Sequence, residues 1–236
     1  AHILKYCCID TYVDVAGLEF TRTYFPKLFY FEGEWHYRNN GSFELGTAEG
    51  GRKIFLMGMN YLSEYMNSRD ALNYYYLHTI HHEFTHILHQ TVEFSTAYQL
   101  ITSDYKSDKC FNKEFADFLS RGFITDYAQK NYHEDFAEMV STYVTSTADE
   151  WEALMKKAEY GVLKDKNGDF VVDSEGSVKI DTKVKADGRD LIEQKLSIVR
   201  SYMQDQWGID IDELRASILQ RENDVVNGKI DLKNLD

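Results

Sequence analysis

The segment His82-Glu83-Phe84-Thr85-His86 sets two imidazoles four residues apart. On a helix this is one turn, so both rings leave the same face and can reach one metal ion. A Glu directly after the first His points about 100° around the helix, close enough to hold a water on that ion. Two imidazoles suit Zn2+, which would lower the pKa of such a water to about 7 and polarise a carbonyl, leaving Glu83 as general base. The chemistry available to this set is hydrolysis of an amide.

The surrounding sequence supports the helix that this needs. Taking Leu72 as origin and about 100° per residue, Tyr76, Ile87, Ile80, Phe84, Leu77 and Leu88 fall at about 40–160°. His78, His89, His82 and His86 fall at about 240–320° on the same wheel. One face is built for a core and the opposite one presents imidazoles. His78 and His82 share the four-residue spacing, but Thr79 follows His78 and supplies no base. His81 lies off the stripe and reads as a packing or solvent-facing residue. His89, one turn beyond His86, could support a ligand without being one.

A catalytic zinc takes three protein ligands and keeps a fourth position open. The best source of the third is Asn131 to Ser141, where Glu134 and Glu138 share a face opposite Phe136, Val140 and Tyr143. Glu134 is read as the ligand and Glu138 as the carboxylate that accepts a ring N–H of a ligand imidazole, although the one-turn spacing leaves the reverse open. An amphipathic helix with a solvated acidic face is the plainer alternative. Tyr127 stands seven residues before Glu134, where a phenol could donate to a developing oxyanion. With 17 Tyr in the chain, its position alone does not single it out.

These groups need a scaffold. Residues 27–60 read as strands and turns: Leu28 to Phe31 before Gly33, a turn at Asn39-Asn40-Gly41, and Lys53 to Met57 after a Gly50-Gly51 break. The metal helix covers 71–91. Further helices are expected at 111–120, 132–145, 148–159, 188–207 and 210–222, the last capped by Asp210 or Asp212. Residues 160–187 interrupt them with Asn167-Gly168 and Glu175-Gly176 turns and read as a surface excursion. Its Asp165 to Asp169 stretch is not a calcium loop, because Phe170 and Gly176 stand where Gly and Glu are required.

The 236 residues are 43% apolar, with 14 Phe, 17 Tyr and 3 Trp, a composition that can bury a core. A net charge of −13 argues against nucleic acid as partner, since neutralising phosphates needs clustered cations. No run of 18 apolar residues offers a membrane span. Cys7, Cys8 and Cys110 form neither a complete disulfide set nor a zinc-binding cluster.

The sequence resembles the zinc-binding metallopeptidase lipoproteins associated with Bacteroidetes polysaccharide-import systems. The resemblance covers nearly the whole chain and is carried by Leu45 to Ile54, His82 to Gln90, Gly122 to Val144 and the closing stretch from Trp207 to Arg221. The Glu134 segment is also similar to that of the anthrax lethal factor catalytic domain, where a Tyr, a ligand Glu seven residues later and a second Glu four beyond it match Tyr127, Glu134 and Glu138.

The resemblance implies one α+β, zincin-like domain over residues 1–236, with a small N-terminal sheet and a mainly helical C-terminal half. The resemblance supplies no substrate; the hydrolytic set itself points to a peptide, protein or glycopeptide, and the family's setting to outer-membrane glycan-import proteins as neighbours. It further implies export and a lipid anchor at the outer membrane or in the periplasm. The lipid-bearing Cys is expected upstream of Ala1, because Tyr6 precedes Cys7 where a small residue is required. The rival reading is a non-catalytic, zinc-stabilised accessory protein of a glycan-import complex. Glu83 speaks against it, since metal ligation alone does not need that residue.

Overall fold

The computed structural model describes residues 1–39, 43–49, 53–174 and 176–233. Asn40, Gly41, Gly50, Gly51 and Glu175, which belong to the expected turns, lie outside the described residues. The architecture is α+β, as expected, and the chain forms two compact units. The first comprises Ala1–Glu93, Tyr143–Thr145 and Met203–Asp236; the second comprises Phe94–Thr142 and Ser146–Tyr202.

The first unit holds the N-terminal strands β1 (Leu28–Phe31), β2 (His36–Tyr37), β3 (Phe43–Glu44), β4 (Gly46–Glu49) and β5 (Lys53–Leu56). β5 is central, parallel to β1 with Leu28 opposite Lys53 and antiparallel to β4 with Gly46 opposite Leu56. β2 and β3 pair separately as a short antiparallel ribbon. Along β5 the period of two sends Ile54 and Leu56 into the core. A Cβ on Gly46 would stand 2.5 Å from the Phe55 carbonyl oxygen and 2.8 Å from Thr79 Cγ2. Glycine there lets β4 lie against the helix that begins at His78.

That helix is entered from Ser68, whose hydroxyl accepts the Ala71 N–H and caps Arg69–Leu72. Asn73–Leu77 then form a wider π turn before the α-helix His78–Thr91. A uniform 100° wheel from Leu72 therefore loses phase across residues 73–77 and is valid from His78 onward. On the apolar side, Phe84 meets Tyr12 edge-on at 4.8 Å and Phe25 at 4.8 Å. No element is expected from sequence before residue 27, yet the structure has helices at Asp10–Ala16 and Leu18–Tyr24. Asp210 caps the last helix, Ile211–Val226, accepting the N–H groups of Asp212 and Glu213. Cys7, Cys8 and Cys110 are buried free thiols, and burial pushes Cys7 up to about 12.

In the second unit the expected helices appear as Tyr132–Thr145, Ala148–Ala158 and Gly188–Trp207, the first and last running on into residues of the first unit. The described residues of 160–187 pair antiparallel, with isolated bridges between Lys164 and Phe170 and between Val172 and Val178. β6 (Tyr160–Val162) pairs antiparallel with β7 (Ile180–Lys185), and Asp165 accepts the N–H groups of Asn167 and Asp169 as a turn residue. One expectation fails. Residues 111–120 do not form a helix but two 3-10 turns, Lys113–Phe115 and Phe118–Arg121. The cause is tertiary: the Phe115 carbonyl, which a helix would give to Leu119, accepts instead from the side chains of Gln129 and Arg121.

The core of this unit contains a stacked Phe94–Phe136 pair at 3.9 Å and an ion pair closed off from water. Lys195 Nζ lies 2.6 Å from Asp135 Oδ2, and both side chains are 0% exposed. The same ammonium donates to the Gly122 carbonyl at 2.7 Å, and Tyr105 donates to Asp135 Oδ2 at 3.0 Å. Burial pushes the Asp135 carboxyl up and the Lys195 ammonium down, and each charge relieves the other. Lys195→Met should therefore cost about 3–5 kcal/mol by stranding a buried carboxylate. Lys195→Met with Asp135→Asn should recover much of the loss. Chemical denaturation of both variants checks this, and equal losses would show that packing, not charge, is what Lys195 supplies.

Candidate metal centre

In the first unit the helix His78–Thr91 carries the imidazoles on one side, as expected. His82 is buried and His86 half-buried, and their Nε2 atoms face each other at 3.0 Å. Two ligands about 2.0–2.1 Å from a tetrahedral zinc must stand about 3.3 Å apart, so the residues present fit the ion. His86 Nδ1 lies 2.7 Å from His89 Nε2. This contact fixes the His86 ring and leaves its Nε2 directed at His82. Glu83, half-buried, sits on the turn between the two. His81 is fully buried against the Tyr12 hydroxyl at 3.2 Å, and burial lowers its pKa to about 3, so it stays neutral. It is a packing residue, one of the two roles the sequence allowed.

In the second unit Asn131 starts the helix that carries the carboxylates, its Oδ1 accepting the N–H groups of His133 at 2.9 Å and Glu134 at 3.0 Å. Tyr127, on the 3-10 turn Tyr127–Gln129, donates its hydroxyl to Glu134 Oε1 at 3.1 Å. Lys130 joins both, 3.0 Å from the same carboxylate oxygen and 2.9 Å from the phenol oxygen. Burial pushes the Tyr127 phenol up to about 12, the Lys130 hydrogen bond opposing and Glu134 adding to it, so the phenol keeps its proton at neutral pH. Glu138 is buried and accepts from Thr125 Oγ1 at 2.7 Å, while that hydroxyl accepts the Ala128 N–H at 3.1 Å.

The structure thus joins His82 to His86 in one unit, and Tyr127 to Glu134 in the other. It places Glu138 on Thr125, one turn along from Glu134. Glu134 is held by a cation and a phenol, and Glu138 accepts from a hydroxyl. Three participants escaped the sequence reading. Asn131 before an amphipathic run and Lys130 four residues before Glu134 carried readable signals. Thr125 carried none, because its bond to Glu138 depends on the turn between them.

The His86–His89 contact makes a distinct prediction. His89→Ala should leave the helix folded and lower zinc affinity by about 10–100-fold, since an orienting partner is lost and not a ligand. Competitive titration with a chromophoric chelator measures it; unchanged affinity would assign His89 to packing alone.

Residues 1–212 match the family described as "putative zinc-binding metallo-peptidase". A crystal structure of a protein described in the same words, from Bacteroides caccae, is similar with a TM-score of 0.74 and 31% sequence identity. The alignment covers 99% of this chain and 78% of that one. No protein of curated function matches. The match takes in both the histidine helix and the Glu134 helix, and the chain belongs to this family of zinc-binding metallo-peptidases.

Proposed function

We propose that the protein is a zinc-dependent peptidase in which His82, His86 and Glu134 hold the ion and Glu83 is the general base. The observation that carries this reading is the pair of imidazole nitrogens 3.0 Å apart with a glutamate on the turn between them. Ligation alone would not need Glu83. When bound, zinc lowers the pKa of a coordinated water to about 7 and polarises the carbonyl under attack. Glu83 accepts the proton of the attacking water and passes it to the leaving nitrogen. Tyr127, protonated at neutral pH, turns its one hydrogen bond from Glu134 to the developing oxyanion, and Lys130, which reaches both oxygens, keeps hold of the carboxylate. Glu138 orients a ligand imidazole. The substrate is a peptide, protein or glycopeptide.

The reading is tested by incubating the protein with a mixed peptide and glycopeptide library, with and without a chelator. Glu83→Gln should keep zinc and fold while hydrolysis drops by about 10² or more. Retained activity would move the base elsewhere, and a zinc-loaded wild type inactive on every substrate would favour the accessory role.

The two carboxylates separate in a zinc titration. Glu134→Ala removes a ligand and should abolish tight binding. Glu138→Ala removes an orienting group and should weaken binding only about 10–100-fold. The opposite ranking would make Glu138 the ligand.

A further inference from the structure

Among the described residues, few large apolar side chains are as exposed as Phe111, at 59%. One exposed Phe is unremarkable in itself. This one differs in what it touches and in how firmly it is held. Its ring lies parallel to that of Tyr127, centroids 5.7 Å apart and planes 10° from coplanar. Tyr127 in turn donates to Glu134.

The loop bearing Phe111 is tied down on both sides. Gln129, fully buried, donates its side-chain amide to the carbonyls of Cys110 at 3.3 Å and Phe115 at 3.2 Å. Its backbone carbonyl accepts the Lys106 N–H at 2.6 Å, and Arg121 donates to its side-chain oxygen. Within the loop, Asn112 N–H reaches the Lys109 carbonyl at 2.8 Å. Ser107, where the loop turns, is the one non-glycine residue among those described with a positive φ, +50°. Gln129 belongs to the same turn as Tyr127, so one buried amide sets the position of the exposed ring relative to the phenol.

A large apolar ring that stands in water on an anchored backbone loses less entropy when a partner covers it than one on a loose loop, which favours a recognition contact. We propose that Phe111 is a specificity-determining residue that receives an aromatic or large aliphatic side chain of a peptide substrate next to the scissile bond. The inference rests on the reading of Tyr127 as the oxyanion donor, which places the ring beside the reacting carbonyl. An offset or edge-on aromatic pair is the contact expected on its open side.

The test uses the zinc-loaded full chain and matched peptides that differ at the residues flanking the bond cleaved, aromatic in one set and Ala or Gly in the other. Phe111→Ala should lower kcat/KM about 10-fold for the aromatic set and less than about 2-fold for the small set. Phe111→Tyr should retain the preference, and zinc content should be unchanged in both. An equal loss on both sets would mean that the ring only covers Tyr127, and an unchanged preference would mean that it does not meet substrate; either overturns the inference while the peptidase reading stands. A wild type that cleaves no peptide overturns both.

Discussion

The helix that carries His82 and His86 also packs on the core, and this imposes one constraint: its buried imidazoles must be directed to different partners. Leaving a buried polar group unsatisfied costs about 1–3 kcal/mol, so the five histidines of His78–Thr91 are tolerable only if their roles are divided. The division is visible. His81 goes to the apolar side, neutral against Tyr12. His86 is steadied by His89 on one nitrogen and meets His82 with the other. The packing of Phe84, Ile80 and Leu88 on the opposite side is what keeps these assignments from exchanging.

The second unit solves a different problem with neighbouring residues. Glu134 and Asp135 are consecutive, so their side chains leave the helix about 100° apart. Glu134 remains partly accessible, its side chain 13% exposed, beside Tyr127 and Lys130. Asp135 turns inward to Lys195, whose ammonium also grips the Gly122 carbonyl. Gly122 has a φ of +85°, and a Cβ there would come within 2.6 Å of Leu191. The ion pair therefore fastens the start of the segment carrying Thr125 and Tyr127 to the helix carrying Glu134 and Glu138. Charge burial is a poor source of net stability, but removing either partner alone is expensive, which makes such a pair suited to holding two segments in one arrangement.

How much of this the sequence revealed follows from the range of the forces involved. The helix at residues 132–145 was readable because its apolar spacing is local and large. The α+β class was readable because short strand-like runs precede long helical ones. The 111–120 segment was misread because nothing in its own pattern announces that Gln129, 14 positions on, will take the Phe115 carbonyl. The π turn at Asn73–Leu77 was invisible for a similar reason: Asn73 is held from outside its own helix, its side-chain amide reaching the Thr145 carbonyl and Glu222. The N-terminal helices lacked a sustained 3.6-residue stripe long enough to stand out.

The same distinction bears on function. Residues proposed to hold the metal or activate water were legible because such chemistry demands a fixed spacing on one helix, as with His82, Glu83 and His86. Residues that select or position carry no such signature. Thr125, Lys195 and Phe111 gain meaning only through partners 13, 60 and 16 positions away, respectively Glu138, Asp135 and Tyr127. Substrate preference in a family of shared chemistry is then expected to reside in segments such as 106–115, whose backbone follows tertiary hydrogen bonds and not local pattern. A loop of that kind can change its exposed side chain without disturbing the imidazoles or the carboxylates, because its anchors are backbone carbonyls that any residue supplies.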